Sequence, residues 1–280
     1  MLTCGRFSLT LGERPLLMGI LNVTPDSFSD GGRYSKPRQA IARALEMQRE
    51  GADLIDIGGE STRPGARPVS GSEELRRVLP VVEGLSGRLR IPISVDTSKS
   101  VVARETVLAG ASLVNDVTAL SDPDMGPLMA DLKVPVILMH MRGNPRTMQT
   151  QARYQRLIPE VTAELRRSIR KALCCGIRKN RILIDPGIGF AKTPKDSLAL
   201  LNQIGVFKKM GFPVVVGPSR KSFIGVVLGD AKASVSAHRL FGTAAAVAVA
   251  AFQGADILRV HDVAAMRQVI AVAQAIRRSA

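Results

Sequence analysis

The chain has 280 residues, of which 45% are hydrophobic, and a formal net charge of +15 at pH 7. This hydrophobic content suits a large buried core and argues against a disordered chain, while no apolar run approaches the roughly 18 residues that would cross a bilayer. The three cysteines are odd in number and two are adjacent, which favours neither a disulfide framework nor a zinc site, so we expect a cytoplasmic protein.

Short apolar runs alternate with amphipathic stretches along the whole chain. A small β-hairpin over residues 3–12 precedes the first run. Eight runs predict buried strands, at residues 16–21, 54–57, 91–95, 112–114, 134–139, 182–184, 214–216 and 257–260. The spacing of apolar residues predicts a helix after each strand, at 40–50, 73–85, 98–109, 124–132, 157–175, 194–204, 237–253 and after residue 262. Ser72 is the expected cap of the second helix.

The order of these elements predicts the fold class. Strands that alternate with helices form a parallel sheet, and eight such units form a closed (β/α)8 TIM barrel. No linker or change of composition interrupts the pattern, so residues 1–280 are expected to form one α/β domain with an N-terminal β-hairpin. A doubly wound open sheet is the alternative topology.

Polar residues follow the strand ends, whereas the helix-to-strand loops have an ordinary composition. The residues concerned are Asn22, Thr62 with Arg63, Asp96, Asn115, His140, Asp185, Ser219 with Arg220 and Lys221, and Arg259 with His261. In a barrel these ends converge on one face, where the active sites of such folds lie. We therefore expect the functional site at the carboxyl ends of the strands.

Two kinds of chemistry are present among these residues. Arg63, Lys221, Arg259 and His261 are donors suited to an anion, and a helix beginning near Ser219 would add backbone N–H groups. Asp96, Asn115 and Asp185 are acceptors in an otherwise basic site. They suit a flat heterocycle with adjacent N–H and NH2 groups, which a carboxylate can bind through two parallel hydrogen bonds.

Structural explanations exist for single members of this set. Arg63 or Arg220 taken alone is more typical of a solvated surface charge. Asp96 before Thr97, and Asp262 after His261, would also be good helix caps. His140 is left without an assigned role.

Several longer motifs occur in a fixed order. They are Gly19-Ile-Leu-Asn-Val-Thr-Pro-Asp-Ser-Phe-Ser-Asp-Gly31, Asp56-Ile-Gly-Gly-Glu-Ser-Thr-Arg-Pro-Gly65, Ser94-Val-Asp-Thr97, Asn115-Asp116, Asp185-Pro-Gly-Ile-Gly-Phe190, Ser219-Arg-Lys221 and Arg259-Val-His-Asp262. Through them the chain resembles the dihydropteroate synthase family over nearly all of its length. The resemblance implies a homodimeric transferase of folate biosynthesis that sulfonamides inhibit. Its reaction joins 6-hydroxymethyl-7,8-dihydropterin pyrophosphate to 4-aminobenzoate and releases 7,8-dihydropteroate and pyrophosphate.

The resemblance also implies roles for residues at the strand ends. Asp96, Asn115, Asp185 and Lys221 would hold the pterin, and Asp96, Asp185 and Lys221 would be the catalytic residues. Thr62, Arg63, Arg259 and His261 would receive the pyrophosphate, with Mg2+ held by Asn22. Ser219, Phe28 and Pro64 would receive 4-aminobenzoate. We expect a dissociative, SN1-like substitution, because the methylene carbon is attached to an electron-rich ring.

Two other functions are considered. A methyltetrahydrofolate-dependent methyltransferase would keep the pterin acceptors, but it has no need of the anion-binding set or of Mg2+. The charge of +15 could mark a nucleic-acid-binding protein, yet the basic residues are scattered and are not interleaved with aromatic residues. We therefore expect small-molecule substrates and no specific nucleic-acid partner.

Overall fold

The computed structural model describes residues 1–24, 36–62, 65–229 and 239–279. The strands in these ranges are β1 Leu2–Cys4, β2 Phe7–Leu9, β3 Leu16–Asn22, β4 Leu54–Gly58, β5 Ile93–Asp96, β6 Leu113–Asp116, β7 Val136–Met139, β8 Ile182–Asp185, β9 Val215–Val216 and β10 Ile257–Val260. The α-helices are α1 Lys36–Glu50, α2 Gly71–Leu85, α3 Ser100–Leu108, α4 Met125–Leu132, α5 Leu157–Cys174, α6 Pro194–Asn202, α7 Ile204–Lys208, α8 Ser222–Val227, α9 Leu240–Phe252 and α10 Val263–Arg278. None of these helices is both long and apolar enough to span a membrane.

Strands β3 to β10 form one parallel sheet in the order β8-β7-β6-β5-β4-β3-β10-β9. The two outer strands of this order also meet, through a parallel bridge between Ile184 and Val214. Beside it, the Ile184 N–H donates to the Pro213 carbonyl at 3.0 Å. The sheet therefore curls into the predicted (β/α)8 barrel, and the open-sheet alternative is wrong.

The N-terminal hairpin closes the end of the barrel at which the strands begin, which we call the hairpin end. Strands β1 and β2 pair antiparallel, with Leu2 opposite Leu9. Their side chains join an apolar cluster that contains the first residues of most barrel strands. Its buried members are Leu2, Cys4, Leu16, Met18, Leu54, Leu113, Ile137, Leu183, Val215 and Ile257. The predicted hairpin is thus confirmed, and it covers the inner core of the barrel.

The larger apolar core lies between the sheet and its helices. The alanine-rich α9 contributes Ala246, Val247, Ala250 and Ala251 to it, because small side chains let a helix pack closely against the barrel. Residues 237 and 238 of the predicted helix lie outside the described residues.

Three details differ from the prediction. Helix α2 is capped by Ser70, whose hydroxyl accepts from the Glu73 N–H at 3.2 Å, and not by Ser72. The predicted helix 194–204 is two helices, α6 and α7, because Gln203 leaves helical geometry with φ −121° and ψ 22°. Helix α8 begins at Ser222, three residues after Ser219.

Candidate active site

Asp56 is the centre of a buried polar network at the mouth, by which we mean the end of the barrel formed by the carboxyl ends of the strands. Its carboxylate is fully buried and accepts from Ser94 Oγ at 2.6 Å and Asn115 Nδ2 at 3.0 Å. The third donor is Arg259 Nε, at 2.6 Å. Three donors on one carboxylate satisfy a charge that would otherwise be costly to bury. The network fixes the orientation of Asn115, whose side-chain oxygen faces away from Asp56.

Arg259 connects this network to Asp96. While its Nε binds Asp56, its Nη2 lies 2.7 Å from Asp96 Oδ2. Burial raises the pKa of Asp96, and the positive charge of Arg259 opposes that rise. Asp96 does not cap helix α3, because Asp122 Oδ2 accepts from the first N–H of that helix, on Ser100, at 2.8 Å.

Asp185 is buried at the end of β8, which lies three strands from β5 and Asp96 in the sheet. Its Oδ1 accepts from the Gly187 N–H at 2.7 Å. Burial raises the pKa of Asp185, and the Lys221 ammonium opposes this effect. Burial also lowers the pKa of Lys221, to about 8, although the Asp185 carboxylate opposes this effect. Lys221 donates to the Ile188 carbonyl, and its Nζ lies 4.3 Å from the centre of the Phe190 ring.

An apolar wall lies beside Asp185, whose partner in the strand register is Met139. It is formed by the buried side chains Val117, Met139, Met148, Phe190 and Ala191. A concave site with an apolar wall and a few fixed polar groups is typical of a pocket for a flat ring. The structure therefore places the predicted acceptors where a heterocycle could lie.

Ser219 and His261 contact each other at the other side of the mouth. Ser219 Oγ lies 3.0 Å from His261 Nδ1 and also accepts from the His261 N–H at 3.2 Å. The helix predicted to begin near Ser219 is α8, which starts three residues later, at Ser222, after an extended Lys221.

Arg220 and Asp262 are paired with each other. Their side chains form an ion pair, with Arg220 Nε 3.0 Å from Asp262 Oδ2 and Nη2 2.5 Å from Oδ1. The Asp262 side chain makes no capping hydrogen bond to α10. Arg220 is thus a partly exposed charge that is paired with Asp262. The prediction that the Asp262 side chain caps the last helix is wrong.

Gly58 lies between Asn22 and Asp96, because it is the register partner of Asn22 on β3 and of Asp96 on β5. A methyl group at Gly58 would lie 3.8 Å from Asn22 Oδ1 and 3.7 Å from Asp96 Oδ2. Thr62 is half-buried at the end of a described segment. Phe28, Arg63 and Pro64, which were also predicted to belong to the site, lie outside the described residues.

Comparison with known proteins agrees with this geometry. Residues 18–261 match the family described as pterin binding enzyme. A dihydropteroate synthase from Synechocystis is 47% identical over 278 residues, which cover 99% of this chain and 95% of that protein. This chain belongs to the dihydropteroate synthase family. It is a transferase of folate biosynthesis, and the methyltransferase alternative is not supported.

Two solved dihydropteroate synthases share the fold. The Yersinia pestis enzyme, solved with a sulfonamide drug, has a TM-score of 0.93 and 44% identity, covering 100% of this chain and 99% of that one. The Xanthomonas albilineans enzyme, solved with 7,8-dihydropteroate, has a TM-score of 0.89 and 44% identity, covering 99% and 98%.

Sequence reasoning missed two groups of polar residues that the structure brings together in this member of the synthase family. Asp56 was not singled out, although a charged residue inside the apolar strand Leu54–Gly58 is a signal that could have identified it. The partners of His140 were also missed, because Lys192 and Glu164 are distant from it in sequence and lie on other elements.

Proposed function

We propose that this chain condenses 6-hydroxymethyl-7,8-dihydropterin pyrophosphate with 4-aminobenzoate to give 7,8-dihydropteroate and pyrophosphate. The observation that carries the proposal is the partly buried Arg259, which spans Asp56 and Asp96. Through Arg259, the acceptors that suit a heterocycle and the donors that suit an anion lie together at the mouth of the barrel. A substrate that is a pterin at one end and a pyrophosphate at the other needs both.

The pterin would bind between Asp185 and Asn115 at the mouth. Asp185 keeps one carboxylate oxygen beyond the one that accepts from Gly187, and Asn115 presents its side-chain oxygen because its nitrogen donates to Asp56. Both are acceptors for the ring N–H and NH2 groups. Lys221, beside the Phe190 ring, would donate to the oxygen-bearing edge of the pterin.

The substitution itself needs charge stabilisation more than a nucleophilic side chain. The C–O bond to pyrophosphate breaks first, and its electron pair leaves with the pyrophosphate. Arg259, His261, Thr62 and Arg63 would receive that anion. The carboxylates of Asp96 and Asp185 would stabilise the positive charge that develops on the pterin methylene.

4-Aminobenzoate would then complete the reaction. Its amine is neutral at pH 7, so the nitrogen lone pair forms the new C–N bond and the nitrogen afterwards releases a proton to water. Ser219, fixed by its contact with His261, would bind the carboxylate, with Phe28 and Pro64 beside the ring. A sulfonamide, which mimics 4-aminobenzoate, would compete for the same place.

Mg2+ fits the oxygen donors at this position. Asn22 Oδ1 lies on one side of Gly58, and amide oxygens are among the ligands that Mg2+ accepts; Asp96 Oδ2, on the other side, is already paired with Arg259. Among the described residues there is no group of three acidic, histidine or cysteine side chains that could enclose a metal. Asn22 would therefore hold an ion that keeps most of its waters and neutralises charge on the leaving pyrophosphate.

A pyrophosphate-release assay tests the proposed function. The purified protein should release pyrophosphate only when the pterin pyrophosphate, 4-aminobenzoate and Mg2+ are all present, and 7,8-dihydropteroate should accumulate in equal amount. Release from the pterin substrate alone, or methyl transfer from methyltetrahydrofolate, would contradict the proposal.

A homodimer is proposed through helices α9 and α10. Together they expose an apolar groove of about 800 Å³, in which Phe252 is 49% exposed, Val272 61% and Ile276 56%. Exposed apolar surface of this kind is typical of an interface, and a second copy would cover it with the same surface.

Sedimentation should give a mass of two chains, and Val272→Glu should reduce it to one. Leu108→Glu is the matched control, because Leu108 is 70% exposed on α3, away from the groove. A wild-type protein that sediments as one chain, or a Val272→Glu variant that stays dimeric, would contradict this interface.

A cytoplasmic location is proposed on the basis of the cysteines. Cys4, Cys174 and Cys175 are all free thiols, as is usual in a reducing compartment. Fractionation of cells that express the chain tests the location.

A further inference from the structure

A second group of polar side chains, two of them buried, lies beside the turn that carries Asp185. Lys192 is only 3% exposed, and its Nζ lies 2.9 Å from His140 Nδ1 and 2.8 Å from the Phe190 carbonyl oxygen. On the other side of the imidazole, His140 Nε2 lies 2.9 Å from Glu164 Oε2. Lys192, His140 and Glu164 thus form a continuous hydrogen-bonded row, from the loop after β8 to helix α5. None of them has a role in the proposed reaction.

The direction of the hydrogen bonds in this row follows from the charges. Burial favours the neutral form of Glu164, but the hydrogen bonds from His140 and Arg142 outweigh it and lower the pKa of Glu164 to about 2. Burial lowers the pKa of His140, so its ring is neutral at pH 7. The Glu164 carboxylate therefore accepts from Nε2–H, which leaves the lone pair on Nδ1 to accept from Lys192.

Arg142 fixes the outer end of this row. Its guanidinium donates to Glu164 and, at 2.8 Å, to Glu160, and it lies 4.1 Å from the centre of the Tyr154 ring. Tyr154 in turn donates from its hydroxyl to the Ala191 carbonyl at 2.9 Å. The row and Tyr154 therefore bind neighbouring carbonyls, on Phe190 and Ala191, at the end of the turn that follows β8.

That turn lies against the backbone of His140. Gly187 has φ +71°, and a side chain there would collide with the His140 carbonyl oxygen. The Phe190 N–H donates to the Gly187 carbonyl at 3.0 Å, and the Phe190 carbonyl accepts from Lys192. The turn from Asp185 to Phe190 is thus short, and Lys192 binds its last carbonyl, on Phe190.

We propose that Lys192, oriented by His140 and Glu164, is a positioning residue for pterin recognition, because it fixes the turn that aims Asp185 and Phe190 at the heterocycle. It acts through these two residues and does not itself touch the substrate. The inference rests on the proposed assignment of Asp185 to the pterin. If the turn is released, the pterin half of the mouth is disturbed, while the anion half, formed by other strands, is not.

The test compares binding at the two halves by calorimetry. Titrations use 7,8-dihydropteroate as the probe of the pterin half and pyrophosphate with Mg2+ as the probe of the anion half. Lys192→Met should weaken 7,8-dihydropteroate binding about tenfold, as expected when one buried hydrogen-bonding partner is removed, and leave pyrophosphate binding within about twofold. In turnover, the KM for the pterin substrate should rise while the KM for 4-aminobenzoate stays the same. Lys195→Met is the matched control, since Lys195 is exposed three residues further on, and it should change neither affinity.

Glu164→Gln provides a second variant that perturbs the row from partly exposed α5. It keeps the shape of the side chain but removes the charge that orients His140, so it should weaken 7,8-dihydropteroate binding about threefold and leave pyrophosphate binding unchanged. This variant decides the question if Lys192→Met does not fold. An unchanged 7,8-dihydropteroate affinity, or an equal loss for both probes, would overturn the inference.

Asp185→Asn, measured in the same titrations, separates this inference from the proposed function. If Asp185→Asn weakens 7,8-dihydropteroate binding and the Lys192 and Glu164 variants do not, only the positioning role fails. If Asp185→Asn has no effect, the assignment of Asp185 to the pterin fails as well.

Discussion

The two ends of the barrel are built from the same strands but bury different side chains. At the hairpin end the strands contribute Leu16, Leu54, Leu113 and Ile257 to one apolar cluster. At the mouth the same or adjacent strands contribute Asp56, Asp96, Asn115, Asp185 and Arg259, all in one charged site. A few residues along each strand therefore separate a fully apolar environment from a charged one.

This difference reflects what each end must do. Apolar side chains at the hairpin end lose contact with water, which stabilises the fold. Buried charges at the mouth lose their hydration, and only the attraction to their partners offsets that loss. They therefore contribute little net stability. What they provide is a set of charges already fixed in place before the substrate arrives. Substitutions at the two ends should accordingly affect different measurements.

The largest effect on stability is expected from Leu113→Ala at the hairpin end. Leu113 is fully buried, so the substitution leaves a cavity and should lower the free energy of unfolding by about 2–5 kcal/mol. Urea unfolding measures this change. At a temperature where the variant is folded, kcat/KM should equal that of the wild type, and a lower kcat/KM there would mean that the two ends are coupled.

Asp185→Asn at the mouth should show the opposite pattern. The amide replaces one acceptor oxygen by a donor that faces the donors of the pterin, which should reduce transition-state stabilisation by about 2–4 kcal/mol. Steady-state kinetics measure this loss in kcat/KM for the pterin substrate, while the melting temperature should change little. Near-normal kcat/KM would show that Asp185 does not bind the pterin.

The pH dependence of activity should report the charge at the mouth. Burial lowers the pKa of Lys221 to about 8, so its ammonium is lost as the pH rises through that value, whereas an exposed lysine keeps its charge until about pH 10.4. The value of kcat/KM for the pterin substrate should therefore fall about tenfold per pH unit above pH 8.

Lys221→Arg keeps its charge throughout this range and should move the alkaline decline to higher pH. If the variant and the wild type decline at the same pH, the titrating group belongs to the substrate or to another residue. The same comparison with an assay saturated in the pterin substrate shows whether the charge acts on binding or on the reaction.

The smallest effect is expected at the edge of the apolar cluster. Leu9 on β2 is half-buried, so Leu9→Ala should lower the free energy of unfolding by about 1 kcal/mol. Thermal unfolding measures it, and activity should not change. A loss as large as that of Leu113→Ala would mean that the hairpin is part of the core and does not merely cover it.

Much of the fold could be predicted from local patterns. Each barrel strand is a short apolar run, and each helix shows its own spacing of apolar residues, because burial acts on every element separately. A detail such as a helix cap was not predictable where two residues of the same type compete for the position. Ser70 and Ser72 are equally good caps by type, and only the start of α2 decides that Ser70 binds the Glu73 N–H.

The same distinction applies to the site. The sequence by itself determined which residues stand at the strand ends, because parallel strands place their carboxyl ends on one face of a barrel. Only the tertiary structure decided their partners. Arg259 binds Asp56 across 203 residues of sequence, and Lys192 meets His140 across 52. Such pairs depend on barrel closure and on which neighbour best compensates a buried charge, and neither is encoded in local periodicity.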